Sequence, residues 1–209
     1  MSSRIASGQA PARSPVTSRA PQRQRGRDRV TALLAAAAVL FVERGYDAAT
    51  MTEIAARAGA SIGSLYLFFP TKPALAQAML ADLAETLSAR LDTLQLRVGG
   101  STAAAIADAL FLELSAFLQQ HPVYAVLIDL AGDDAWRQAV RTQRRLQVAA
   151  LFELAAPALP ADQAERLALL VPSLMRSVMM LGGEPAPLRA ACLQELRAML
   201  HHHLAWASA

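Results

Sequence analysis

The chain has a single cysteine, Cys192, so no disulfide can close within it, and a disulfide-stapled secreted fold is excluded. A reducing, cytoplasmic setting is what this predicts. Strand-like alternation of apolar and polar residues is missing, and so is any internal repeat. No run reaches the roughly 20 apolar residues that a membrane-crossing helix requires, so no membrane partner is expected. Residues 30–42 (VTALLAAAAVLFV) follow an arginine-rich segment and superficially resemble the apolar part of an export signal. They continue into Glu43, Arg44 and Gly45 without a cleavage pattern, and their spacing suits a core-facing helix. Chemistry-bearing patterns are equally scarce. No nucleophile elbow, phosphate loop, dinucleotide glycine pattern or Cys/His cluster occurs, so neither an enzyme nor a cofactor or metal is predicted. His201, His202 and His203 are consecutive, and consecutive side chains on a helix diverge, so they read as a solvated helix end.

What is abundant is alanine and leucine, within a composition that is 54% hydrophobic, and these residues lose little side-chain freedom in a helix. The fold class predicted is all-α. Charge is unevenly spread. Residues 1–75 carry ten basic against four acidic side chains, and residues 76–209 carry ten against thirteen. A basic head on an acidic body suggests that the head faces nucleic acid. Residues 1–26, rich in Ser, Pro, Arg and Gln with no apolar period, are expected to be a disordered arm. Arg19, Arg23, Arg25, Arg27 and Arg29 cluster at its end, where other DNA-binding folds attach minor-groove arms.

Three helices are expected in residues 27–75. The first spans 28–44 with Val30, Leu33, Leu34, Ala37, Leu40 and Phe41 on its inner face and Gly45 as its stop. Thr50 and Glu53 have capping-box spacing for a short second helix that Gly59 ends. Ser61 caps a third helix that Pro70 closes. Two short helices joined by a tight glycine turn make a helix-turn-helix. On the third helix, Ile62, Leu65, Tyr66 and Phe69 are expected to pack inward, leaving Gly63, Ser64, Leu67 and Phe68 toward a major groove.

Residues 28–75 resemble the TetR (tetracycline-repressor-like) family at Phe41, Gly45, Tyr46, Thr50, Met51, Ile54, Ala55, Ala58, Gly59, Ser61, Gly63, Ser64, Leu65, Tyr66, Phe69, Lys72 and Leu75. The resemblance implies a ligand-responsive DNA-binding transcriptional regulator, a repressor released from a palindromic operator by a small effector. It implies that Thr50 and Ser61 cap helices and meet phosphate, that Gly63 and Ser64 approach bases, and that Tyr66 and Lys72 touch the flanking backbone. With Arg25, Arg27, Thr52, Ile62 and Leu67, these form the expected DNA-binding set. Leu67 and Phe68 depart from the family pattern, where polar residues are common, and neither can hydrogen-bond a base or phosphate. Readout would then lean on Ser64, DNA shape and the arginine arm.

Residues 76–209 carry repeated apolar helices, expected near 102–120, 123–131, 133–156, 161–181 and 187–206, with Pro172 kinking or restarting one of them. The resemblance implies a helical effector-binding and dimerisation domain. Candidate ligand-binding residues are Met79, Phe111, Phe117, Tyr124, Leu127, Trp136, Leu151, Met175, Arg176 and Met179, which favour a mostly apolar effector. Candidate homodimer residues are Leu167, Leu170, Leu174, Val178, Leu196 and Leu200 on the last two helices. Two other readings stay open: a non-specific nucleoid-type DNA-binding protein without an effector, and a helical enzyme or lipid carrier with a vestigial motif.

Overall fold

Helix α4 (Lys72–Val98) is the axis of the molecule. Along it Leu80, Leu83, Leu87, Leu91, Leu94 and Val98 recur every three or four residues and are all buried, as one stripe of an α-helix must be when its neighbours cover it. Each fully buried leucine of this kind contributes about 1.5–3 kcal/mol. The computed structural model describes residues 19–128, 130 and 135–207, without the side chains of 19–23, 171, 172, 175, 176, 179, 182 and 205–207. Among the described residues every regular element is helical. The head holds α1 (Arg19–Arg44), α2 (Met51–Arg57) and α3 (Ile62–Phe68). The body holds α5 (Ala103–Gln120), α6 (Val123–Ile128), α7 (Ala135–Glu153), α8 (Ala161–Met180) and α9 (Ala186–Ala207), with a 3-10 turn at Leu181–Gly183 before α9. The architecture is the all-α one expected, a helix-turn-helix head on a larger helical body.

In the head, α1 buries Leu33, Ala37, Leu40 and Phe41 against Ile54 and Ala55 of α2 and Leu65 of α3 in one core that continues into α4. Val30 and Leu34 are half-buried at its edge. Residues 30–42 are therefore core helix, and no described helix is long and apolar enough to cross a membrane. Gly45 closes α1 at φ +81°, a left-handed conformation that glycine adopts without steric cost. At the end of α2, Gly59 (φ +63°) donates to the carbonyl of Ala56 at 3.1 Å, and Ala60 reaches back to that of Ala55 at 2.9 Å. This pair of bonds is the Schellman stop, and it turns the chain sharply into α3.

Three sequence expectations change. Helix α1 begins at Arg19 rather than at residue 28, so residues 19–26 of the expected disordered arm are helical. Arginine and glutamine are good helix formers, and Gln24 bridges Asp28 at 2.7 Å one turn on, which supplies local support that apolar periodicity does not reveal. Residues 1–18 lie outside the described ones. Helix α8 runs through position 172 as one element, so of the kink or restart expected there the restart does not occur. Leu167 is buried in the body's own core rather than placed on an outer seam, because α8 packs its Ala164, Leu167 and Ala168 face inward.

Candidate nucleic-acid interface

The head's two short helices are each seven residues long, too short to be stable alone, and both are held by side-chain caps. Thr50 Oγ1 accepts from the Glu53 backbone N–H at 3.2 Å, and the Glu53 carboxylate accepts from the Thr50 backbone N–H at 3.0 Å. The Thr50 hydroxyl also donates to that carboxylate at 2.8 Å, and this bond, with the one from the Thr50 backbone, holds the Glu53 carboxyl below its ordinary range. Ser61 Oγ accepts from the Ser64 N–H at 3.2 Å, which fixes the start of α3. Thr50 and Ser61 thus cap as expected, and their side chains, like that of Thr52, lie at the surface.

Helix α3 is anchored by Leu65 and Phe69 alone. Ile62 is 40% exposed and Tyr66 49%, so the expectation that they pack inward does not hold. Leu65 in the middle of α3 and Phe69, the residue that ends it, take the buried side, and Ile62 and Tyr66 at the margins of that side remain partly open. The outward surface is therefore broader than expected: Ser61, Ile62, Gly63, Tyr66 and Leu67, with Leu67 the most open. Ser64 is half-buried at its edge, and Arg29 of α1 donates to its hydroxyl at 3.4 Å. Phe68 turns away from this surface into a cleft beside α1.

That contact brings the extended N-terminal turns of α1 alongside α3. Arg25 and Arg29, one turn apart on α1, are exposed there, and neither has a carboxylate partner among the described residues, whereas the expected contact Arg27 lies on the cleft. Arg44 and Arg57, farther along the head, are neutralised: Arg57 pairs with Glu43 at 2.9 Å and Arg44 with Glu53. Positive potential is thus concentrated beside the outward face of α3, where a phosphate backbone would run.

Lys72 has a different position from the one expected. Its ammonium donates to the carbonyls of Tyr46, Asp47 and Ala49 at 2.8, 3.0 and 3.1 Å and sits 4.6 Å from the Tyr46 ring centre. An ammonium has three donors, and all three are used, so Lys72 ties α4 to the turn before α2 rather than presenting charge to phosphate. Sequence reasoning also missed Thr71, whose hydroxyl accepts from the Ala74 N–H at 3.2 Å and caps α4. A threonine two residues before a proline at a helix start was the available signal.

Most of the expected ligand residues of the body that are described lie in or against its core. Phe111, Phe117, Leu127 and Leu151 are closed core, Tyr124 is buried at the edge of it, and Trp136 is half-buried against it. Large apolar side chains in a helical body pack against one another unless something holds them apart. The side chains of Met175, Arg176 and Met179 lie outside the described residues. Met79 lines a cleft of about 1000 Å³ between α1, α4 and the α5–α6 corner. An unexpected polar cluster lies nearer the middle of the body. Arg144 of α7 donates to the Ala84 carbonyl of α4 at 2.8 Å and to Gln147 at 3.1 Å, and Gln147 donates to Asp92 of α4 at 3.0 Å. Burial lowers the Arg144 pKa and raises that of Tyr124 beside it.

On the outer side of the body, Leu170 and Leu169 of α8 and Leu188 and Met199 of α9 are at least half exposed. Leu174, Val178, Leu196 and Leu200 sit half-buried beneath them against the body's core. His201, His202 and His203 are exposed near the end of α9.

Residues 33–79 match the family described as bacterial regulatory proteins, tetR family. The chain carries the TetR-family DNA-binding domain. No curated protein matches the chain significantly. Similar solved structures extend the likeness in fold to the body. A TetR-like transcriptional regulator from Rhodococcus sp. RHA1 aligns with a TM-score of 0.65 at 23% identity, over 85% of this chain and 96% of that one. A TetR-family transcriptional regulator from Streptomyces coelicolor aligns with a TM-score of 0.61 at 24% identity, over 86% and 99%. A gamma-butyrolactone receptor (ArpA-like protein) aligns with a TM-score of 0.55 at 25% identity, again over 86% and 99%.

Proposed function

We propose that this TetR-family chain is a homodimeric, ligand-responsive repressor that leaves a palindromic operator when a small, mostly apolar effector binds its helical body. The observation that carries the DNA half of this reading is the outward face of α3, Gly63, Ser64, Tyr66 and Leu67, flanked by Arg25 and Arg29, which no carboxylate among the described residues neutralises. In this reading α3 enters the major groove and the arginines of α1 meet the phosphates beside it. Leu67 meets a thymine methyl, and Ser64 supplies the hydrogen bond to a base edge. Residues 27–75 act as the reading head and residues 76–209 as sensor and dimerisation body.

The exposed leucines of α8 and α9 support a dimer, since large apolar side chains left facing outward are stabilised when a second copy covers them. Two heads then face successive major grooves, and their spacing depends on α4, which joins each head to its body. An effector that prefers a different spacing weakens DNA binding by the same factor by which DNA weakens effector binding. The gamma-butyrolactone receptor among the similar structures supports a small-molecule effector for this chain.

The test is selection of bound duplexes from a random DNA library by the purified protein at physiological salt. Recovery of one inverted-repeat sequence is the expected result. Recovery of no preferred sequence, with binding that vanishes as salt rises, would overturn it in favour of a non-specific DNA-binding protein.

A further inference from the structure

The cleft that Met79 lines is not part of the body's core, and its walls belong to two parts of the molecule. Helix α1 contributes Ala35, Val39 and Val42, α3 contributes Phe68, and α4 with the α5–α6 corner contributes Leu83 and Pro122. Val39, Val42 and Phe68 are each more than a third exposed, so apolar surface is left facing an open space. That space is about 1000 Å³. Pockets that enclose drug-sized ligands run from about 300 to 1000 Å³ and have this composition, apolar walls with a few polar groups for orientation.

We propose that this cleft between head and body is a binding site for a small, uncharged, mostly apolar molecule. The charges at its rim decide the class of ligand. Glu43 is neutralised by Arg57 at 2.9 Å, which leaves Arg27 and Asp82, one of each sign. A ligand with net charge would gain from one and lose to the other, whereas a neutral molecule with one or two polar groups suits both. Gln120 and His121, at the corner, offer hydrogen bonds at the body end, and the His121 ring is held against Phe117 at 4.9 Å between centroids. The inference goes beyond the effector reading above and stands whether or not the body's core holds a ligand.

The position gives the site its consequence. Phe68 is the last residue of the recognition helix, and Val39 and Val42 are on the helix that carries the arginines. A molecule seated in the cleft touches head and body together, so any preference for one spacing of the two reaches α3 without crossing the body.

The test uses the full chain without DNA and titrates it with Nile red, an uncharged apolar dye whose emission shifts and brightens on leaving water. A saturable titration with one dye per chain is expected. Ala35→Trp fills the cleft from an exposed position of α1, and Val39→Asp places a charge on its wall. Each is expected to weaken the dye by at least about tenfold while shifting the melting temperature by no more than about 2 °C. Leu96→Ser, at an 88% exposed position near the end of α4 and outside the cleft, serves as the control and leaves the titration unchanged. Non-saturable binding, parental affinity in both cleft variants, or loss of binding in the Leu96 variant instead would each overturn the proposal.

Discussion

Helices α2 and α3 of the head and helices α8 and α9 of the body follow opposite plans. The head pair have seven residues each and depend on hydroxyl caps at Thr50 and Ser61 and on the two left-handed glycines around them. The body pair have 20 and 22 residues and owe their stability to one packed face, with exposed leucines on the other. A short helix cannot hold itself, so its sequence is constrained position by position. A long amphipathic helix needs only apolar residues in the right period, which many sequences satisfy. This is why the family match falls on residues 33–79.

Six changes probe that contrast. The largest effect is expected from Phe41→Ala, which empties a fully buried site where α1 meets the Tyr46 ring. It should cost about 3–5 kcal/mol in chemical denaturation. Lys72→Met removes three charged hydrogen bonds between α4 and the head, and a loss of about 1.5–3 kcal/mol is expected. The salt dependence of DNA binding should stay unchanged in that variant, whereas Arg25→Ala should reduce its slope by about 1. A Lys72 variant with a shallower slope would restore the phosphate contact that the three carbonyls argue against. Thr50→Ala removes the capping box and should cost about 1 kcal/mol, seen as a lower melting temperature with weakened operator binding.

Leu170→Ser marks the other plan. The side chain is 59% exposed, so the chain's own fold should change by less than about 0.5 kcal/mol. Sedimentation should nevertheless show the dimer lost or weakened, and an unchanged dimer would move the seam elsewhere. The smallest effect concerns pH. The Glu53 carboxyl is held low in the folded chain by its bonds to Thr50, so its contribution is present above the ordinary carboxylate range. It is lost as pH falls through the lowered folded value. Between about pH 6 and pH 3, the melting curve of Glu53→Gln should therefore fall less than that of the parent.

The capped elements were legible almost to the residue, because Thr50, Glu53, Gly59 and Ser61 each have a local physical reason to be where they are. The body's helices were legible through their breakers, such as His121–Pro122 and Pro157–Pro160, which end a helix wherever they occur. The extra turns of α1 were not, since arginines and glutamines without apolar period read equally as a solvated tail. The outward position of Ile62 and Tyr66 was hidden because helical spacing gives a side but not how much of that side is covered. The cleft was invisible for another reason. Its walls come from α1 and from the α5–α6 corner, far apart in the chain, and the residues that form it are the same alanines, valines and leucines that fill cores.

The central claim, that the outward face of α3 meets DNA, is tested most directly at Gly63. A side chain there would meet nothing within 4 Å, and its backbone is not left-handed, so the fold itself has no need of glycine at this position. Gly63→Leu should leave the melting temperature unchanged or raised, since leucine favours a helix over glycine by up to about 1 kcal/mol. On the duplex recovered by selection, its affinity should fall by at least about tenfold as the new side chain blocks close approach to the bases. Operator affinity equal to that of the parent would contradict the account and place the DNA contact on another surface.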